Sequence, residues 1–310
     1  MHVRGGAKVD LLDEDNLTLS EKIQWLALNY WYNHPARYYI NDKYLFRYYW
    51  NTMMDEDITV PVLGVYEVAD DISFQELPQK FVLKRTLGGG GHEVKVCDQR
   101  VDNESDIRNL VYKWLNKTLN GKARVIAEEY LESAHNLVDY RFYVSRGEVK
   151  LYFLSYWKDH VGGELRRLFF DLNWNRLDTN KKSSEEIILP GNFDKMVKIA
   201  EEVGKYFPLI RVDMYNIEGK IYIGELTGVP NNGIPYFPFE EDLRIGRYFN
   251  LPTENEILID YEQVLIKFPE LKENPILLKG KNGRYRLIMS DKEKLPLPPE
   301  NYLQPRNKNG

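Results

Sequence analysis

The chain has 310 residues, with 47 acidic against 42 basic side chains, a formal charge of −5 and a pI near 5.7. That balance excludes a broad nucleic-acid-binding footprint, although local positive clusters can still hold phosphates. A 43% hydrophobic fraction over this length can bury a core in two or three lobes, and no run of about 18 apolar residues predicts a membrane span. One cysteine, Cys97, excludes an intrachain disulfide and a cysteine zinc cluster, and fits a reducing compartment. Residues 1–15 lack the apolar stretch of a signal peptide, so the expected location is cytoplasmic.

In chain order, Leu19 to Asn33 predicts an amphipathic helix with Ser20 as its cap and Ile23, Leu26, Ala27, Tyr30 and Trp31 on one stripe. Asp42 to Trp50 predicts a second helix. Thr59 to Tyr66 reads as a strand interrupted at Pro61, and Lys80 to Arg85 as a strand entering Gly88 to Gly91. The β pattern resumes at Val94 to Cys97, which makes a hairpin with a glycine tip. A helix over Ile107 to Leu115 and a strand over Arg124 to Leu131 follow. Tyr140–Ser145 and Val149–Tyr156 predict a hairpin, Phe193 to Phe207 a helix, and Ile210–Tyr215 and Lys220–Thr227 a second hairpin. Past about Asn250 the chain turns proline-rich and charged, and Leu295 to Gly310 reads as a tail or lid. A helix-rich start, a small β–α–β middle and a mixed antiparallel lobe make the class α+β, not the regular alternation of a doubly wound sheet.

The last hairpin holds the best candidates for chemistry. A divalent ion on ATP phosphates needs hard oxygen ligands, and Mg²⁺ takes only one or two protein carboxylates. Asp213 and Glu225 qualify if they share a face. A three-residue turn at Ile217-Glu218-Gly219 pairs Asn216 with Lys220 and sets Arg211 opposite Glu225 and Asp213 opposite Ile223, with the two acids diagonal on one face. A two-residue turn puts them on opposite faces. An ordinary hairpin with exposed acids is the plainer reading of the spacing alone.

Four glycines, Gly88 to Gly91, let backbone N–H groups wrap a phosphate, with Lys84 at the end of the strand before them. The run is neither a P-loop, since no Gly-Lys-Ser/Thr follows, nor a dinucleotide fingerprint, since Glu93 replaces a third glycine. A flexible hairpin tip is the alternative. The acidic strand end from Glu128 to Leu131 offers main-chain groups to an adenine edge, and Glu132 a carboxylate to ribose hydroxyls. A merely polar strand terminus is again the alternative.

Together these pieces resemble the TupA-like branch of the ATP-grasp superfamily over about residues 18–250. The resemblance is carried by Ser20-Glu21-Lys22-Ile23-Gln24-Trp25-Leu26, Asp42-Lys43-Tyr44, Pro61 to Tyr66, Phe81-Val82-Leu83-Lys84, Ile126 to Leu131, Asp139-Tyr140-Arg141-Phe142, Phe170 to Trp174, Arg211 to Tyr215 and Gly224 to Thr227. It implies a nucleotide cleft between two α+β lobes. The implied division is a helix-rich lobe at 1–75, a middle lobe at 76–132, a C-terminal lobe at 133–250 and an extension at 251–310. Lys43 and Lys84 look like phosphate contacts, Gly88, Gly89, Gly90 and Gly91 like a closing loop, and Glu128, Glu129, Tyr130, Leu131 and Glu132 like the adenine and ribose site. Arg141 and Arg211 look catalytic, with Arg141 steadying the transferred phosphoryl group. Asp213, Glu225 and Thr227 look like the Mg²⁺ site. Two departures are visible: Thr227 stands where many superfamily members have Asn, and Thr86-Leu87 where the branch tends to have Asn-His, with His92 after the loop instead.

The activity implied is ATP-dependent carboxylate–amine ligation through an acyl phosphate, in cell-surface polysaccharide synthesis. The acid is a small-molecule or sugar-linked carboxylate such as a hexuronate, and the amine an amino acid or amino alcohol. Lys158, Arg166 and Arg167 are candidates to hold the acid. Competing readings are a glycosyltransferase, for which Asp13-Glu14-Asp15 and Asp55-Glu56-Asp57 supply an Asp-x-Asp pattern without the preceding strand, and a non-catalytic nucleotide-binding protein.

Overall fold

The computed structural model of the chain describes residues 16–89, 93–117, 124–132, 137–157, 164–177, 179 and 189–271, with two short strands beyond them. The elements run α1 (Leu19–Asn29), α2 (Arg37–Asn41), α3 (Leu45–Met53), β1 (Val62–Tyr66), β2 (Lys80–Arg85), β3 (Val94–Asp98), α4 (Glu104–Leu115), β4 (Val125–Glu129), β5 (Asp139–Ser145), β6 (Glu148–Trp157) and β7 (Leu165–Phe170). They continue with α5 (Phe193–Gly204), β8 (Ile210–Ile217), β9 (Lys220–Thr227), α6 (Phe239–Gly246), α7 (Glu254–Lys267), β10 (Leu277–Lys279) and β11 (Tyr285–Leu287).

Local chemistry sets the helix starts. The Thr18 hydroxyl accepts from the Glu21 N–H at 3.2 Å while the Glu21 carboxylate accepts from the Thr18 N–H at 2.9 Å. That reciprocal box needs an acid three residues on, so Thr18 rather than the expected Ser20 caps α1. The helix stops at Asn29, and Trp31–Asn33 form a separate 3₁₀ turn. The second expected helix starts late because the Asp42 carboxylate accepts from the N–H groups of Tyr44 and Leu45, at 2.8 and 3.0 Å, and so caps α3 from outside it.

One sheet has the order β1-β4-β2-β3, all antiparallel. Its far face and α4 enclose a core of Phe81, Leu83, Cys97, Ile107, Val111, Trp114, Val125 and Ala127. By alternation its near face carries Lys84, Ile126 and Glu128. A second sheet has the order β7-β6-β5-β8-β9, also antiparallel. Its back face packs on α5, where Phe193 lies 4.9 Å from Tyr152 and 5.6 Å from Phe142 between ring centroids. Gly204 permits this approach, since a Cβ there would meet Val144 Cγ1 at 2.1 Å.

Pro61 divides the expected strand at 59–66 between the two sheets. Thr59 bridges to Ile223 at the edge of β9, and the Ile223 N–H donates to the Ile58 carbonyl at 2.8 Å. Past Pro61 the chain joins β4 instead, with Val62 opposite Glu128. Proline cannot donate to a ladder, so the change of sheet falls there. Past Asn250, where the sequence reading placed no element, the chain forms α7, which opens with a second capping box, Thr253 and Glu256. It docks through the Tyr261 hydroxyl on the Tyr30 carbonyl at 2.6 Å and through Asp260, which accepts from Arg146 at 2.9 Å and from Tyr30 at 3.1 Å. Leu295 to Gly310 lie outside the described residues.

Candidate active site

The β8–β9 turn has two residues, Glu218 and Gly219, with φ of 51° and 89°, and Ile217 pairs with Lys220. Positive φ at both positions is the mirror-type turn that matches strand twist, so the expected three-residue turn does not form. The face inversion expected of a two-residue turn is cancelled further along. Met214 pairs with Ile223 but Asp213 pairs with Glu225, leaving Gly224 as the extra residue of a bulge. Asp213 and Glu225 are therefore directly opposed, not diagonal.

On β5, Arg141 pairs with Asp213, so Arg141, Asp213 and Glu225 form one rung across three strands. The next rung on this face, two residues along, holds Arg211 and Thr227. Arg211 grips Asp213 with Nε on Oδ1 and Nη2 on Oδ2, both at 2.6 Å, and Nη2 also donates to the Thr227 hydroxyl at 3.0 Å. Thr227 in turn donates to Glu225 Oε1 at 3.3 Å. Arg141 Nε lies 3.4 Å from Asp213 Oδ2, while Nε and Nη2 donate to Asp139 Oδ2 at 2.8 and 2.6 Å. Burial pushes Asp213 up to about 6 despite the guanidinium groups of Arg211 and Arg141. Burial acts on Glu225 in the same sense, but Lys43, Arg211 and Arg141 outweigh it and hold that carboxylate below its ordinary value.

The four-stranded sheet and the helices at the start of the chain present cations to this face, Lys84 from β2, Arg47 from α3 and Lys43 from just before α3. Lys84 Nζ lies 2.5 Å from Glu128 Oε2 and 5.8 Å from the centroid of the Tyr215 ring on β8. Arg47 also pairs with Glu128, and donates to the Val60 carbonyl at 3.3 Å. Lys43 reaches Glu225 at 3.6 Å and donates to the Gly88 carbonyl. Burial would lower Lys84, but Glu128 outweighs it and raises it; burial would raise Glu128, but Lys84 and Arg47 hold it low. Thr86, fully buried, fastens the first helices to this sheet: its carbonyl accepts from the Lys43 N–H at 2.9 Å.

The remaining expected site residues fall as follows. The Glu128 carboxylate points into the cation cluster, whereas Glu129 and Glu132 have exposed side chains and Tyr130 lies under Lys80, 5.3 Å from ring centroid to Nζ. Leu131 is half-buried beyond the strand. Gly88 and Gly89 follow β2; Gly90, Gly91, His92 and Lys158 lie outside the described residues, as do Asp13, Glu14 and Asp15. Asp55 to Asp57 sit in the segment after α3, not at a strand end. Arg166 and Arg167 alternate along β7 and occupy opposite faces. Among the described residues no group of three or more His, Cys, Asp or Glu gathers for a metal, and no helix is long and apolar enough to cross a membrane. Arg47 and Asp139 escaped the sequence reading. The signals were present: Arg47 follows Lys43 by one helical turn, and Asp139 precedes Arg141 by one strand repeat.

A family model described as TupA-like ATPgrasp matches residues 21–250. No curated protein matches the chain. Among solved structures it is similar to a D-alanine–D-alanine ligase from Bacillus anthracis, with 16% identity, TM-score 0.45, and 84% of this chain and 78% of that one covered. The corresponding ligase from Helicobacter pylori gives 14% identity, TM-score 0.44, and coverage of 77% and 70%. An N5-carboxyaminoimidazole synthetase from Staphylococcus aureus, complexed with ADP, gives 17%, TM-score 0.42, and 77% and 60%. The assignment rests on the family match, which spans the four-stranded and five-stranded sheets and the rung of Arg141, Asp213 and Glu225: this chain belongs to the TupA-like ATP-grasp family.

Proposed function

We propose that the protein is an ATP-dependent carboxylate–amine ligase working through an acyl phosphate. The observation that carries the reading is the rung of Arg141, Asp213 and Glu225 on one sheet, with Lys84 of the other sheet and Lys43 of the first helices brought against its face. The proposed lobes are 1–75, 76–132, 133–250 and an extension at 251–310.

The donor set fits Mg²⁺. Two buried or half-buried carboxylates stand on directly paired positions, and the ion takes its remaining ligands from phosphate and water. Asp213 and Glu225 would hold it, with Thr227 beside them, and a bound ion supplies charge neutralisation at the phosphate oxygens. Lys43 and Lys84 bind the phosphates, the loop from Gly88 to Gly91 covers them, and Glu128 to Glu132 hold adenine and ribose. An oxygen of the acid's carboxylate attacks the γ-phosphorus, the bond to the β-phosphate oxygen breaks and ADP leaves. The amine nitrogen then attacks the acyl carbon, phosphate departs and the nitrogen loses a proton. Arg141 and Arg211 neutralise charge spread over the transferring oxygens. Closure over the cleft keeps water from the acyl phosphate.

By family resemblance the acid is a hexuronate, free or sugar-linked, and the amine an amino acid or amino alcohol, in cell-surface polysaccharide synthesis. Incubation with ATP, Mg²⁺, uronic acids and pooled amines tests the reading. ADP and phosphate release that needs both acid and amine supports it. Nucleotide release from a UDP-sugar, or ATP binding with no turnover in any mixture, overturns it.

A further inference from the structure

Arg167, a candidate from the sequence for holding the acid, is a cation on the face of Asp213 and Glu225 with no part in the reaction steps proposed above. One rung of the five-stranded sheet carries Asp139 on β5, Ser155 on β6 and Arg167 on β7. Asp139 lies two residues before Arg141, so this rung shares the face of Asp213 and Glu225.

The two ends of the rung have opposite charge and unmet hydrogen-bonding capacity. Asp139 Oδ2 takes both donors from Arg141, while Oδ1 is buried without a partner. Arg167 Nε is likewise buried without an acceptor, and among the described residues no carboxylate pairs with this side chain. Its guanidinium lies 5.6 Å from the centroid of the Tyr236 ring. Arg166, on the other face, also has a buried Nε without an acceptor, but its guanidinium pairs with Glu164 at 2.7 Å. Buried polar atoms left open are costly, and they occur where something else completes them. Two strand spacings of about 4.8 Å separate the ends of the rung by roughly 10 Å. Asp139 and Arg167 do not meet. An α-amino acid carries an ammonium and a carboxylate on one short body, one charge for each end of the rung.

We infer that this rung binds the amine substrate as a zwitterion. Arg167 holds its carboxylate, and Asp139 Oδ1 accepts from its ammonium. The inference rests on the ligase reading and selects between its two amines: an amino acid, not an amino alcohol. Because Arg141 is bonded to Asp139, the nitrogen is delivered beside the group assigned to the acyl phosphate.

Hydroxylamine separates the two levels, because it is small and uncharged and traps an acyl phosphate as the hydroxamate. The protein is assayed with ATP, Mg²⁺ and free and UDP-linked hexuronates, using hydroxylamine, pooled amino acids, or alaninol, threoninol and ethanolamine. Amino acids should be preferred over the matched amino alcohols by about 30-fold or more in kcat/KM, the scale of a charge-assisted hydrogen bond. In Arg167→Met the ratio of amino-acid-dependent to hydroxylamine-dependent turnover should fall by a similar factor, chiefly through KM, with partial recovery in Arg167→Lys. Equal use of amino alcohols, hydroxamate formation without consumption of any amino acid, or an unchanged ratio in Arg167→Met overturns the inference alone. No hydroxamate with any acid overturns the ligase reading and the inference with it.

Discussion

Asp213 and Glu225 oppose each other because Gly224, between Ile223 and Glu225, is left out of the pairing as a bulge. If both carboxylates serve one Mg²⁺, neutralising either should lower kcat by about 10³-fold, the scale of losing charge stabilisation in a closed site. Asp213→Asn and Glu225→Gln should keep the wild-type circular dichroism spectrum and cooperative unfolding. Near-normal turnover in either variant removes that residue from the metal assignment.

The bulge makes a separate prediction. A Cβ at Gly224 would meet Tyr215 Cε2 at 2.8 Å and Cζ at 3.2 Å. Gly224→Val should displace the ring that underlies Lys84, costing about 1–3 kcal/mol of stability and raising the KM for ATP. Deleting Gly224 removes the bulge yet keeps Asp213 opposite Glu225, so the deletion should retain more activity than the valine variant. Steady-state kinetics on the two proteins decide between them.

Glu128 is buried between Lys84 and Arg47. Removing its charge leaves two buried cations without a counter-ion. Glu128→Gln should therefore destabilise the protein by about 3 kcal/mol. Urea denaturation measures this directly. A loss below about 0.5 kcal/mol would mean the cluster is solvated like a surface pair.

His34 predicts an acid-sensitive fold. Its ring is fully buried among Tyr30, Trp31, Tyr261 and Phe207, with centroids 4.8, 4.9, 5.1 and 5.8 Å away. Nδ1 accepts from the Ala36 N–H at 3.2 Å, and burial pushes the pKa from 6.5 down to about 3. The unfolded imidazole takes a proton near pH 6.5 and the folded one only near 3. This contribution is thus complete above pH 6.5 and is lost as pH falls through that window. The slope is about 1.4 kcal/mol per pH unit, or ~2 kcal/mol by pH 5. In His34→Phe the difference in stability between pH 7 and pH 5 should shrink by that amount, measured by chemical denaturation at both values.

What the sequence made legible follows from where its signals are local. Lys80–Arg85 and Lys220–Thr227 were readable to the residue, because period-two alternation and glycine boundaries coincide. The shared face of Asp213 and Glu225 was read correctly through the wrong register: two departures from regular pairing, a shorter turn and a bulge, offset each other, and nothing local announces a bulge. The helix α7 was hidden by prolines on both sides, although its Thr253–Glu256 box was in plain view. The strand β7 was missed because Leu165-Arg166-Arg167-Leu168 shows no alternation. Arg47 was overlooked because its partner Glu128 lies 81 residues away. The family resemblance supplied the candidate roles of Lys43 and Arg141, which no spacing gives.

The change of sheet at Pro61 also constrains how the two sheets can move. The chain passes between them at Pro61 and again just after Glu129, and these crossings are neighbours: the Glu129 N–H donates to the Pro61 carbonyl at 3.0 Å. Two adjacent covalent crossings act like the two pins of a door, fixing an axis instead of a point. Rotation about that axis would change the distance of Lys84 and Gly88 from Glu225. Opening along this path breaks the Lys43–Thr86 hydrogen bond and separates Lys43 from Gly88. The latch therefore lies where the helices at the start of the chain meet the end of β2, at Lys43 against the carbonyls of Thr86 and Gly88.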